Sequence, residues 1–152
     1  LLDRKNRQLQ VSTAATEGVA FSRLSAPIDL GVLSITQADD NALIAVSTLQ
    51  DGTSLRDAQR LLLIFASDAR NTGMRFRDRK EKVIEDFGRL PVLIRKASAE
   101  IALARQGSWT LSPVGLNGKV HQPMAQGEGA VSFTLTNDVP SGPTTFFLLE
   151  IE

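Results

Sequence analysis

Short runs of alternating apolar and polar residues extend through the whole chain, closed at intervals of roughly 8–12 residues by Gly, Pro or Asx turn signals. No other feature constrains the fold as strongly. Side chains on a strand point to opposite faces with a period of two, so each run offers one face for burial. Leu9, Val11 and Thr13 alternate with polar neighbours, and the weaker run from Glu17 to Leu24 puts Val19 and Phe21 on one side. Ile28 to Ile35 reads as one strand. Ala130 to Thr136 sets Val131, Phe133 and Leu135 on one face, and Thr144 to Ile151 reads as the final strand. No segment sustains a helical stripe beyond a turn or two. The connector Leu55 to Gln59 has room for one helical turn.

Two runs are more continuously apolar. Leu43 to Leu49 has few polar residues, which points to burial on both faces or a central position. Arg60 to Ser67 is the most apolar stretch, and Asn71-Thr72-Gly73 ends it as a turn, so it reads as a buried strand. Met74 to Phe76, Val92 to Ile94, Ala99 to Leu103 and Trp109 to Leu111 are further short strands. Asp39-Asp40-Asn41, Asp51-Gly52, Gln126-Gly127-Glu128-Gly129 and Ser141-Gly142-Pro143 are turns or loops. Asn117-Gly118 is the strongest hairpin signal, joining a strand that ends near Leu116 to one from Lys119 to about Gln122.

About ten or eleven strands at this spacing predict an all-β, antiparallel β-sandwich, with a partly closed β-barrel as the alternative. The 152 residues suit one domain, residues 1–152, without linker or repeat. The chain begins Leu1-Leu2-Asp3, and the expectation is a piece of a longer protein.

Charge and chemistry narrow the function by exclusion. Lys and Arg number 17 and Asp and Glu 17, a balance that argues against a nucleic-acid partner. The basic run Arg75, Arg77, Arg79, Lys80 and Lys82 is interrupted by Asp78, Glu81, Glu85 and Asp86, and reads as a solvated loop or edge strand. The absence of Cys removes disulfides, thiolate zinc sites and a Cys nucleophile together. No apolar stretch approaches the roughly 20 residues of a membrane span. His121 is the only histidine and has no visible triad or metal partners. Asp39-Asp40, Glu85-Asp86 and Glu100 are the acidic candidates for paired-carboxylate hydrolysis, but nothing sets two of them across a cleft. Asp39-Asp40-Asn41 has the oxygens for a calcium ion, though an Asx turn is its ordinary reading. No cofactor is expected, since GxGxxG, P-loop and GxSxG motifs are absent. Among the aromatics, Phe65, Phe133 and Phe146 or Phe147 read as core. Trp109, flanked by Ser108 and Thr110, is the one candidate sugar-stacking platform, with burial in the core as the competing reading.

The segment Leu61-Leu62-Leu63-Ile64-Phe65-Ala66-Ser67-Asp68-Ala69-Arg70-Asn71-Thr72-Gly73-Met74 resembles the β-sandwich domain near the C-terminus of large bacterial glycoside-hydrolase-like proteins with TIM-barrel catalytic domains. There an R-LLL strand precedes an ENTGM turn, and Arg70 stands here where an acidic residue is usual. Ala42 to Gly52, Pro91 to Ile94, Ala99 to Leu103 and Val114 to Lys119 resemble further strands and turns of that domain in order. Leu9 to Thr13 and Gly18 to Phe21 fall where the family often shows VDTPR and GxxG, without the Asp and the Pro-Arg. The resemblance implies a non-catalytic accessory module of a secreted, periplasmic or cell-surface protein, whose partner is its own catalytic barrel. The Asn71-Thr72-Gly73 turn reads first as structural, with Asn capping it and Gly supplying positive φ. The functional alternative is that Asp68, Arg70 and Asn71 contact the barrel or a sugar, and interdomain apolar contacts would lie around Met74 and Phe76. A carbohydrate-binding module acting through Trp109 on a polysaccharide, and an adhesion or assembly domain using exposed strand edges, are the alternative functions.

Overall fold

The computed structural model describes residues 1–78 and 80–152. Arg79, within the charged run, lies outside the described residues. Among those described there is no helix. The strands are β1 (Leu2–Asp3), β2 (Gln8–Ser12), β3 (Thr16–Phe21), β4 (Ile28–Asp29), β5 (Leu33–Ala38), β6 (Ala42–Thr48) and β7 (Arg60–Ala66). They continue as β8 (Ala69–Thr72), β9 (Arg75–Phe76), β10 (Ile84–Asp86), β11 (Arg89–Ile94), β12 (Ser98–Val114), β13 (Ala125–Thr136) and β14 (Phe146–Ile151). The protein is all-β and antiparallel, as the alternation predicts. No helix is long and apolar enough to cross a membrane among the described residues.

Ten strands form one sheet in the order β1-β2-β3-β6-β7-β14-β12-β5-β4, with β13 on the other edge of β12. The 17-residue β12 explains how so large a sheet makes a core. Along one edge its first part, Ala99 to Leu103, pairs with β5, and its last part, Trp109 to Val114, pairs with β14. Along the other edge β13 follows it, slipping register between Leu103 and Gln106. The sheet therefore curls about β12. One cluster then buries Val19, Ile44, Leu63 and Phe147 from one side together with Leu33, Ile101, Val131 and Leu135 from the other. A flat sheet could not bring these rows together.

Several expectations are corrected, each for a tertiary reason. Ile28 to Ile35 is not one strand but the tight hairpin β4–β5, in which the Leu30 N–H donates to Leu33 O at 2.9 Å. Ala99–Leu103 and Trp109–Leu111 are parts of one strand, because β13 pairs with the residues between them across the bulge. Gln126-Gly127-Glu128-Gly129 is ladder rather than loop, lying opposite Thr110, Trp109, Ser108 and Gly107. Lys119 to Gln122 forms no strand. The Asn117-Gly118 turn closes on a single Val114–Val120 bridge, with the Gly115 N–H donating to Lys119 O. Leu55 to Gln59 is a turn that buries Leu55 and Ala58. The turn expected at Asn71 moves forward. Ala69 to Thr72 is strand β8, and the chain reverses after it through Gly73.

β6 lies centrally, between β3 and β7, one of the two readings that its apolar run allows. Its inward residues Ala42, Ile44 and Val46 are buried, but Leu43 on the outward face is exposed. The other reading, burial on both faces, does not hold at Leu43.

Candidate functional site

The segment from Asp68 to Arg95 leaves the sheet between β7 and β12 and returns as an arm. β8 pairs with β11, and β9 pairs with β10, in two two-stranded ribbons separate from the main sheet. The two ladders meet at Gly88. A Cβ there would lie 2.5 Å from Thr72 O and 2.7 Å from Met74 N, and its φ of 69° suits glycine. Asp86 Oδ1 accepts the Gly88 N–H at 2.8 Å, which fixes the corner.

Five of the residues singled out in the sequence belong to this arm. Asp68 accepts from Arg70 Nε at 2.9 Å and from Arg95 Nη2 at 3.1 Å. Arg70 Nη2 also donates to Glu81 at 2.7 Å, and Arg95 Nη1 to Asp40 at 3.2 Å. Acid and base thus alternate as Asp40, Arg95, Asp68, Arg70 and Glu81. The Arg70 guanidinium also sits 5.1 Å from the centroid of the Phe76 ring. Glu81 first and then Asp68 hold the Arg70 guanidinium above its ordinary pKa, so it keeps its charge. Asn71 Nδ2 donates to Phe87 O at 2.9 Å across the arm. The Met74 N–H donates to Asn71 O at 3.1 Å, and Met74 and Phe76 are half-buried. This cluster braces the arm.

The root of the arm is tied by a residue the sequence did not mark. Asn137 is 1% exposed. Its Nδ2 donates to Arg95 O at 2.8 Å and to Ser67 Oγ at 3.0 Å, and its Oδ1 accepts the Ala97 N–H at 3.0 Å. One side chain therefore bridges the outgoing and returning strands. No local motif reports this, since its partners lie 40 or more positions away.

The arm carries apolar side chains without cover. Val83, Ile84, Phe87, Leu90, Val92 and Leu93 are exposed, Leu90 to 78% and Phe87 to 69%. A second apolar surface lies on the outward face of β1, β2, β3, β6 and β7. The pairing sets Leu2, Leu9, Ala20, Leu43 and Ala66 in one row across five strands. Val11, Gly18, Ala45, Ile64 and Phe146 make the next row. Leu2, Leu9, Val11 and Leu43 are exposed.

Trp109 belongs to neither surface. It is 7% exposed, its ring against Gly127 and 5.5 Å from that of Phe133, so it offers no face to a sugar. The stacking platform is corrected accordingly: β13 and the curl of the sheet cover the indole. Asp39 accepts the Ser98 N–H and hydroxyl, and Asp40 accepts the Asn41 N–H and Arg95. Their oxygens therefore serve the chain itself. Among the described residues no group of three or more His, Cys, Asp or Glu is placed to hold a metal ion. Glu100 accepts from Thr134 at 2.8 Å. Asp86 pairs with Arg75 on the arm, and His121 lines a pocket with Pro113, Pro123, Met124, Asp138 and Val139, where Asp138 is paired with Lys96. No family model, no curated protein and no solved structure matches the chain.

Proposed function

We propose that the chain is a non-catalytic docking module, an all-β body that presents the 68–95 arm to a neighbouring protein surface. The observation that carries this reading is the arm itself. An isolated two-stranded ribbon is marginally stable in water, and this one exposes six large apolar side chains. Exposed apolar clusters of this kind mark interaction surfaces. Asn137 and the alternating ion network hold the root in a defined direction, which suits presentation to a partner.

The resemblance to accessory domains of glycoside-hydrolase-like proteins agrees in kind, since such a module works through a neighbouring domain. The sandwich reading of the fold belongs with it. β12 bends at its bulge and hands its edge from β5 to β14, as strands do at the corners of packed sheets. The two halves of the curled sheet are then the two layers.

Hydrogen exchange on the dilute chain tests the arm. Backbone amides of residues 69–94 should exchange far faster than those of β7 and β12, because local opening of an uncovered ribbon is easy. Protection equal to that of the core would refute the docking role. Release of a chromogenic sugar by the purified chain would refute the non-catalytic reading.

A further inference from the structure

We propose that the cleft between the two ends of β13 binds a small, neutral aromatic molecule bearing a hydroxyl group. Its ring lies among three prolines and Met124, and its hydroxyl meets His121. None of the lining residues belongs to the arm, so the site is independent of the docking reading.

The cleft is a product of the curl. The chain enters β13 through residues 121–124 and leaves it through residues 136–141, and both segments line one cleft of about 600 Å³. Sites for small molecules span about 300–1,000 Å³. Backbone hydrogen bonds fix both walls. On the way in, the His121 N–H donates to Pro113 O and the Met124 N–H to Leu111 O, each at 2.9 Å. On the way out, the Gly142 N–H donates to Val139 O at 2.9 Å and the Thr144 N–H to Asn137 O at 3.1 Å. The Thr144 hydroxyl donates to Val114 O at 2.6 Å and ties that loop to the end of β12. A site held in this way needs little ordering when a ligand arrives.

The lining selects the ligand. Pro113, Pro123 and Pro140 present rigid rings, and the buried Val139 adds to the apolar wall. Met124 is half-buried, and a thioether attracts the edge of an aromatic ring. Aliphatic C–H groups suit the negative face of such a ring. The polar lining divides in two. Asp138 is already paired with Lys96, and the Thr136 hydroxyl donates to Ala97 O and accepts the Asp138 N–H. The imidazole of His121, the amide of Gln122 and the hydroxyl of Ser141 make no side-chain hydrogen bond among the described residues. Each can donate or accept, so the set suits a hydroxyl better than an ion. Gln122 and Ser141 are exposed and His121 is half-buried, so water competes least at the imidazole.

Three probes of one shape test the site: p-cresol, toluene and 4-methylcyclohexanol. The chain has one histidine and two methionines, so the NMR signals of the His121 ring and the Met124 methyl report the cleft, and Met74 on the arm is the control. p-Cresol should move His121 and Met124 saturably, with a Kd of about 1 mM, and leave Met74 in place. Toluene, which lacks the hydroxyl, should bind about five-fold more weakly. 4-Methylcyclohexanol, which lacks the aromatic ring, should also lose about five-fold. His121→Ala, read through Met124, should weaken p-cresol by about five-fold and leave toluene unchanged, with Trp109 emission as in wild type. No saturable shift by about 10 mM p-cresol, or an equal shift at Met74, would overturn the site. Equal affinity for the three probes would overturn the ligand class, and undiminished p-cresol binding by His121→Ala would overturn the role of that imidazole. N-acetyltyrosinamide carries the same ring on a peptide backbone and should bind no tighter than p-cresol. Binding more than about ten-fold tighter would overturn a free molecule as the occupant in favour of a polypeptide side chain.

Discussion

Trp109 and Gly127 face each other across the β12–β13 ladder, and substitution of the glycine tests whether the core is built as described. A Cβ at Gly127 would lie 2.7 Å from Trp109 Cζ2 and 2.8 Å from Cε2. Carbon pairs settle near about 3.5–4.0 Å, so the methyl of Gly127→Ala must displace the indole by about 1 Å. The ring has little room to move, being 7% exposed and 5.5 Å from Phe133. Overpacking of this kind costs about 1–3 kcal/mol. For a chain of this length each kcal/mol lowers Tm by about 2–4 °C, so a fall of about 6 °C is expected. Trp109 is the only tryptophan and there is no tyrosine, so intrinsic fluorescence reads this contact alone. Its emission should shift in Gly127→Ala. Glu128→Ala, one residue along and pointing outward, should change stability by less than about 0.5 kcal/mol. A Gly127→Ala protein that melts within about 1 °C of wild type, with unchanged emission, would refute the packing and return residues 126–129 to a loop.

Three further outcomes follow from buried or paired polar groups. Glu17 is buried on the inward row of β3, and its Oε2 accepts the N–H groups of Val32 at 2.9 Å and Leu33 at 2.7 Å. Glu17→Ala strands both donors and should lower stability by about 2–5 kcal/mol. Glu17→Gln keeps an acceptor and should recover part of it; equal urea midpoints for the two would count against this role. Asn137→Ala removes three hydrogen bonds at the arm root and should cost about 2–4 kcal/mol. It should also speed tryptic cutting at Arg70 and Arg89 relative to sites in the body, and unchanged digestion would contradict the clamp. The Asp3 carboxyl is held below its ordinary value of 3.8, first by the Asn6 backbone N–H and then by the Asn6 side chain. Its contribution is therefore complete above that ordinary value and is lost as the pH falls through the lowered one. Amide exchange in the β1–β2 hairpin should rise over that acid window in wild type and stay level with pH in Asp3→Asn.

The arm was legible in part. Met74 to Phe76 and Val92 to Ile94 read as strands because they are short β-branched or aromatic runs beside turn signals. That they pair with Ile84–Asp86 and Ala69–Thr72, and with nothing in the body, depends on register across 20 residues. Asp68, Arg70 and Phe76 were singled out and do come together, joined by Glu81 and Arg95. The exposure of Leu90 and Leu93 was not legible, since alternation states that a strand has an apolar face but not whether anything covers it.

Strand character belongs to the sequence alone. Period-two runs such as Val131, Phe133 and Leu135 and the lack of a helical stripe need no partner to be read. Tertiary structure decided the rest, because pairing and cover are long-range. Only the curl about β12 made one core from two sets of rows, placed Trp109 inside against Gly127, and set Glu17 beneath the β4–β5 hairpin. The same curl leaves the outward side of Leu43 bare beside an apolar arm. A one-residue shift in pairing would have reversed every one of those faces.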